Sequence, residues 1–285
     1  LRASTEPRFS EYDPWTGDSK IHGEFELTYV TILVAEDENI RTITLNRPER
    51  RNAMTPEMQT ELLAAMEDAA ASSCRIVVFR GAGDAFCAGL DLTALQAMNE
   101  KGAAEHRADA ERIAKLFRTL YELPKPTIAA VQGAAIAGGT GLATICDFTL
   151  AVPAAKFGYT EARIGFVPAL VSAYLAVQIG DKRSRDLLLT GRLFDAAEAY
   201  RLGLVSEVVL PESLNERVDA LAKILAANSP ESIRATKRLL AAQNRAWLDA
   251  AIAQAMEANA LSRETADFRE GVASFLEKRK PVWTK

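Results

Sequence analysis

Gly133-Ala134-Ala135-Ile136-Ala137-Gly138-Gly139-Thr140-Gly141 follows a short apolar run, Thr127-Ile128-Ala129-Ala130-Val131, and leads into a helical stretch. A second glycine-rich segment, Ala85-Phe86-Cys87-Ala88-Gly89-Leu90-Asp91-Leu92, follows Ile76-Val77-Val78-Phe79 in the same way. Both read as loops where a strand gives way to a helix. Main-chain N–H groups converge on a small charged oxygen only where side chains leave room, which is the use of Gly and Ala at such positions. The pair therefore predicts the two halves of an oxyanion hole, suited to enolate stabilisation without a metal.

Outward from these loops the chain reads as repeated ββα units. Tyr29 to Val34 and Ile40 to Leu45 alternate as strands around a Glu36-Asp37-Glu38-Asn39 turn, which predicts a hairpin. Thr55-Pro56 supplies an N-cap and an N1 proline for a helix to about residue 71, and a further helix is expected over 103–121. Phe148 to Val152 and Lys156 to Gly158 read as strands. Beyond about residue 165 the pattern is helical: 168–178, 181–189, 195–202, 212–227, 230–243, 247–261 and 263–278. The expected organisation is a polar N-terminal arm over 1–26, with Tyr12 and Trp15 as docking side chains, a core over 27–215, and a helical extension over 216–285.

Composition excludes several classes. With 34 basic and 38 acidic side chains spread along 285 residues, the net charge of -4 offers no basic field for nucleic acid. No run approaches the roughly 18 apolar residues of a membrane span. Cys74, Cys87 and Cys146 are odd in number and set in apolar surroundings, so neither a disulfide framework nor a metal site is expected, and the reading is cytoplasmic.

The order of motifs resembles the crotonase family, the enoyl-CoA hydratase and isomerase superfamily. Asn46-Arg47-Pro48 to Asn52-Ala53-Met54 is similar to its N-R-P-x-x-x-N-A segment, and Phe86 to Leu92 to its F-x-A-G-x-D-L loop. Lys125-Pro126-Thr127 with Gly133 to Asp147 looks like its K-P-x-I-A-A-V-x-G-x-x-x-G-G stretch. Phe157 to Glu161, Leu188 to Gly191, Ala199 to Val205 and Glu270-Gly271 to Pro281 complete the series. The resemblance implies an α/β fold, a crotonase-like spiral of ββα units with a helical C-terminal extension. It also implies an acyl-CoA thioester substrate, no cofactor beyond the coenzyme A of that substrate, and a homo-oligomer, a trimer or a dimer of trimers.

By position, the backbone N–H groups of Leu90 and Gly138 would hold the thioester oxygen. Arg51 would meet a phosphate or the pantetheine entrance, backbone groups of Ala88 and Gly89 the pantetheine amide, and Lys278 the nucleotide of a neighbouring subunit. Asp91 lies in the substrate loop and reads as an acceptor for backbone N–H groups. Hydratases of the family generally carry two glutamates. Here Glu161 stands at the second position, whereas the first falls on Gly141.

One carboxylate beside an apolar acyl pocket, supplied by Ile164, Phe166, Val167 and Leu170, would then carry the proton chemistry. The expected reaction is enoyl-CoA hydration, with Thr140 or Tyr159 helping Glu161 to orient water; the alternative is Δ3-Δ2-enoyl-CoA isomerisation. Bulkier Val167 to Ser172 replaces a glycine run of many relatives, and the two extra acids of dienoyl-CoA isomerases fall on Gly141 and Ala169. A serine or cysteine hydrolase lacks a base, because His22 lies in the arm and His106 reads as exposed. A non-catalytic acyl-CoA binder or RNA-binding relative is the remaining competitor; Gly141 speaks for it, and the retention of Glu161 together with both oxyanion segments speaks against it.

Overall fold

The computed structural model describes residues 29–284, and the arm expected over 1–26 lies outside them. The hairpin forms as read: β1 (Ile32–Asp37) pairs antiparallel with β2 (Ile40–Leu45). Thr55 accepts the Met58 N–H at 3.2 Å and Pro56 opens α1 (Pro56–Ala71), which buries Met58, Leu62 and Met66.

Three turns of chain then repeat one plan, a strand in a large sheet followed by a short strand in a small one. These are β3 (Ile76–Gly81) with β4 (Ala85–Cys87), β5 (Thr127–Val131) with β6 (Ala134–Ile136), and β7 (Phe148–Ala151) with β8 (Lys156–Gly158). Helices follow each pair: α2 (Leu92–Ala97) and α3 (Ala103–Glu122) after the first, α4 (Gly138–Ile145) after the second, and α5 (Ala169–Ile179) after the third. The large sheet has the order β1-β2-β3-β5-β7-β10 and the small one β4-β6-β8-β9, where β9 is Phe194–Asp195 and β10 is Glu207–Val208. Every pairing is parallel except β1 with β2 and β8 with β9. All five residues of β5 are buried, as a strand covered on both faces by the parallel crossovers must be.

The segments read as glycine-rich loops thus each begin with a strand. A strand of three residues is too short to show a period, and all three residues of β4 are buried, so pattern alone could not separate β4 and β6 from loop. Gly139 explains one of the glycines. A Cβ there would sit 2.2 Å from the Cys87 carbonyl oxygen, so only glycine lets the start of α4 lie against β4.

The remaining helices are α6 (Asp181–Thr190), α7 (Ala196–Leu202), α8 (Leu214–Ala227), α9 (Pro230–Ser262) and α10 (Ala266–Leu276). The two helices expected over 230–243 and 247–261 are one helix. The intervening Asn244 does not break it, and its Nδ2 donates to the Tyr121 hydroxyl of α3 at 3.2 Å. The helix expected over 263–278 starts later, at Ala266, where Thr265 accepts the Phe268 N–H. α9 packs along α3 and α5, while α10 packs on α2 and on the short helical turn Glu161–Ile164.

Replacing Gly139 by Ala is expected to destabilise the protein by about 1–3 kcal/mol through overpacking against a backbone carbonyl. Urea unfolding reads this as a lowered midpoint; an unchanged midpoint would mean that α4 can move away from β4 at no cost.

Candidate active site

The ends of β4 and β6 bring the two segments together. A Cβ on Gly89 would stand 3.6 Å from the Gly138 nitrogen and 3.0 Å from the Ala137 Cβ. Met54 donates its N–H to the Gly89 carbonyl at 2.7 Å and accepts the Asp91 N–H at 3.0 Å, so the bridge leaves the Leu90 N–H outside it. Gly138 is the first residue of α4, where an N–H has no intrahelical acceptor. Neither the Leu90 nor the Gly138 N–H finds a hydrogen-bond acceptor among the described residues. Ala137, just before, has φ 53 and ψ -124, a strained conformation for a residue with a Cβ that costs about 1–3 kcal/mol.

Leu90, Gly138, Ala88 and Glu161 line one cavity of about 790 Å³, its mouth included. Ile113 and Phe117 from α3, Val167 to Val171, and Phe275 from α10 make much of its wall. Glu161 is the only ionisable side chain in that lining among the described residues. It is 7% exposed, and its Oε2 is buried with no hydrogen-bond partner among the described residues. Desolvation pushes its carboxyl up to about 7, against an ordinary value of 4.5. Glu161 is thus a buried group and not a surface residue of its turn. The turn carrying Glu161 is backed by α10, where Gly271 lies so close that a Cβ would be 2.2 Å from the Ile164 carbonyl oxygen.

The space a first glutamate would enter is closed. A Cβ on Gly141 would lie 2.6 Å from Val171 Cγ1 and 3.3 Å from Phe117 Cζ. Val171 belongs to the bulky segment that replaces a glycine run, so the two departures from the family pattern are one packing solution. Asp147 is no substitute: it accepts the Thr127 N–H at 2.8 Å and pairs with Lys237.

Several expected residues serve the scaffold. Thr140, expected to help orient water, is fully buried; its hydroxyl donates to the Ala135 carbonyl at 2.6 Å and accepts the Gly158 N–H at 3.1 Å. Tyr159 is likewise buried, with its hydroxyl 3.3 Å from that of Thr144. Neither lines the cavity. Asp91 caps α2 by accepting the Thr93 and Ala94 N–H groups and pairs with Arg47 at 3.0 Å. Burial alone would raise its carboxyl, but Arg47 and these N–H groups outweigh it and hold the group below its ordinary value. Arg51 is exposed, and its carbonyl accepts the Ala88 N–H at 2.9 Å, so that amide is not free for a ligand. Lys278 is exposed beyond α10 and outside the cavity lining.

His106 corrects another expectation. It is 3% exposed, not surface-facing, because the Met98–Glu100 turn covers it; its Nε2 lies 2.9 Å from the Met98 carbonyl. Cys87 donates its thiol to the Asn52 carbonyl at 3.2 Å, and burial pushes that thiol up to about 12, so it is no ready nucleophile. Among the described residues no group of three His, Cys, Asp or Glu side chains could hold a metal, and no helix is long and apolar enough to cross a membrane. Sequence reasoning missed Thr160, Asn259 and Phe275 in the cavity wall, the last two because α9 and α10 lie far from the loops in sequence.

Residues 35–285 match the family model described as enoyl-CoA hydratase/isomerase. A Thermus thermophilus protein described as a "Putative enoyl-CoA hydratase" is 46% identical over 247 residues, 86% of this chain and 98% of that protein. The 1,2-epoxyphenylacetyl-CoA isomerase of Escherichia coli is 32% identical over 264 residues, 92% of this chain and 98% of that one. Among solved structures, an enoyl-CoA hydratase/isomerase from Xanthobacter autotrophicus is similar with a TM-score of 0.81 at 32% identity, covering 88% of this chain and 98% of that one.

The raised carboxyl of Glu161 has a sign that stability measurements can read. Folding strengthens its hold on a proton, so the stability of the protonated form is complete below about pH 4.5 and is lost as pH rises through about 7. Glu161→Gln escapes this loss. Above pH 7 it is expected to be more stable than the parent by on the order of 3 kcal/mol, a difference that vanishes near pH 4.5. Denaturant titrations at pH 4.5 and pH 8 check this; a difference independent of pH would mean that the carboxyl is hydrated.

Proposed function

Since the chain belongs to the enoyl-CoA hydratase/isomerase family, we propose that it is an enoyl-CoA hydratase that holds the thioester oxygen on the Leu90 and Gly138 N–H groups and moves protons with Glu161 alone. The observation that carries the reading is the buried, unpartnered Glu161 Oε2 in the same cavity as two backbone amides without acceptors.

In the forward reaction, ionised Glu161 takes a proton from a water molecule as its oxygen bonds to C3 of the 2-enoyl thioester. Electron density moves through C2 onto the thioester oxygen, where the two amides and the N-terminal end of α4 meet it. Each such donor is typically worth about 3–4 kcal/mol in the transition state. Glu161, now protonated, delivers its proton to C2, which collapses the enolate to the 3-hydroxyacyl thioester and restores the carboxylate. A group near neutrality is suited to both halves of this cycle, since neither form is scarce at neutral pH.

The closed space at Gly141 favours a second reaction, Δ3-Δ2 isomerisation. There Glu161 removes a proton from C2 of a 3-enoyl thioester and returns it to C4 while the amides hold the enolate, and no second carboxylate is needed to place water. Ala88 in the cavity lining, through its carbonyl, and Gly89, Arg51 and Lys278 outside that lining are the proposed coenzyme A contacts. Exposed Leu239, Leu240 and Trp247 on α9 support a homo-oligomer, a trimer or a dimer of trimers. The buried free cysteines fit a reducing compartment such as the cytoplasm.

Crotonyl-CoA is expected to lose its conjugated enoyl absorbance in the presence of the enzyme, and a 3-enoyl-CoA to gain it if isomerisation also occurs. Glu161→Gln should lower either rate by roughly 10²- to 10⁴-fold. The parent's kcat/KM should rise with pH through about 7 as the carboxyl ionises. No absorbance change with either substrate, despite tight acyl-CoA binding, would replace the hydratase by a non-catalytic binder.

A further inference from the structure

The proton chemistry leaves one buried group beside the cavity without a task. The Arg263 side chain, in the turn after α9, is 0% exposed, with Nη2 2.5 Å from Asp109 Oδ2. Its Nε and Nη2 donate to Asn259 Oδ1 at 3.3 and 3.1 Å, while Nη1 is buried with no hydrogen-bond partner among the described residues. The guanidinium lies over the Phe166 ring, 5.4 Å from its centroid, and both Phe166 and Asn259 belong to the cavity wall.

The orientation of Asn259 follows from chemistry. A guanidinium can only donate, so the amide end facing Arg263 must be the carbonyl oxygen. That leaves Nδ2, with two donor hydrogens and no acceptor among the described residues, on a side chain that lines the cavity and is 4% exposed overall. Asp109 carries two guanidinium groups at once, those of Arg263 and Arg112. The acid at the far side, Glu264, is half-exposed and points towards His106 at 4.0 Å. Two cations, one buried and one partly exposed, share the single Asp109 carboxylate, so behind Asn259 it does not neutralise both; the acid of the cavity wall is Glu161, whose protonated form leaves that positive charge unopposed there.

Apart from Glu161, Thr160 and Asn259, the cavity wall is made of apolar side chains and backbone. A plain alkyl chain lying there would desolvate the Asn259 Nδ2 without pairing it, whereas an anionic oxygen would satisfy the donor and meet the positive field. We propose that Asn259, oriented by Arg263, is a specificity-determining residue that receives a carboxylate on the acyl tail, so that the preferred substrates are 2-enoyl-CoA thioesters bearing a second, free carboxylate. This rests on the hydratase reading above.

Asn259→Asp tests it with little structural change, because an oxygen remains for Arg263 while the donor becomes an acceptor. The measurement is the ratio of kcat/KM for 2-enedioyl mono-CoA thioesters of graded length to that for alkyl 2-enoyl-CoAs of equal length, with the methyl esters of the former as a third set. The parent is expected to favour the free acid at least about tenfold at one chain length, and Asn259→Asp to abolish or invert that ratio. A ratio near one in the parent, a ratio untouched by the substitution, or methyl esters as good as free acids overturns the proposal. Affinity for saturated dicarboxylic mono-CoA thioesters, measured by calorimetry, must follow the same order. If crotonyl-CoA is hydrated without any carboxylate preference, only this inference falls; if neither crotonyl-CoA nor any 2-enedioyl thioester is hydrated, the hydratase reading falls first.

Discussion

The Ala85 carbonyl is the junction from which the site hangs. It accepts Nδ2 of Asn52 at 2.9 Å and Nε2 of Gln132 at 3.0 Å, so three segments distant in sequence are fixed to one backbone atom. Asn52 reaches further to the Ala82 carbonyl, and its own Oδ1 accepts the Arg47 N–H. Arg47 in turn ties Ala53 and Asp91. Gln132 sits at the end of β5, immediately before the segment that ends in Gly138. The asparagine-arginine motif and the glycine segments are therefore parts of one device that holds two backbone amides side by side. Hydrogen-bond donors aimed in advance need no reorganisation as charge develops, which is what the oxyanion role proposed for these amides requires.

A carboxyl buried among apolar groups opposes that order and is the complementary cost of the site. Among the described residues no cation pairs with Glu161, and the causes acting on it are desolvation, which raises its proton affinity, and its own backbone N–H, which lowers it. Apolar packing also explains the missing partner. With Val171 and Phe117 against Gly141, a second carboxylate would have to displace a β-branched side chain whose rotamers are few. The reaction space is therefore asymmetric, with polar function on one wall and hydrocarbon on the other.

Much of this was legible in the sequence because the deciding features are local. A Thr-Pro pair opens a helix by the same physics wherever it occurs, and two glycine-rich segments after buried strands point to close backbone approach. Glu161 was legible by its place in an ordered series of motifs. What escaped depends on contacts remote in sequence. β4 and β6 are strands only because they pair with one another and with β8. His106 is buried only because the Met98–Glu100 turn folds over it. The roles expected of Thr140 and Tyr159 failed for a related reason: a hydroxyl looks available until its tertiary partners are known, and both are bonded within the scaffold.

The C-terminal helices show the same dependence in its strongest form. α9 and α10 follow the glycine segments by about a hundred residues, yet they supply Asn259 and Phe275 to the cavity and Gly271 as the surface on which the Glu161 turn rests. A side chain larger than hydrogen at Gly271 would press on the Ile164 backbone, only three residues from the carboxylate, so the position of the acid is set from behind. Phe268 and Val272 on the same helix pack with Leu95 and Phe166 in a small core separate from the main one. That core joins α2, which Asp91 caps, to the Glu161 turn. The loop carrying Leu90 and the turn carrying Glu161 thus share one apolar support, and any movement of α10 must shift the amide and the acid together.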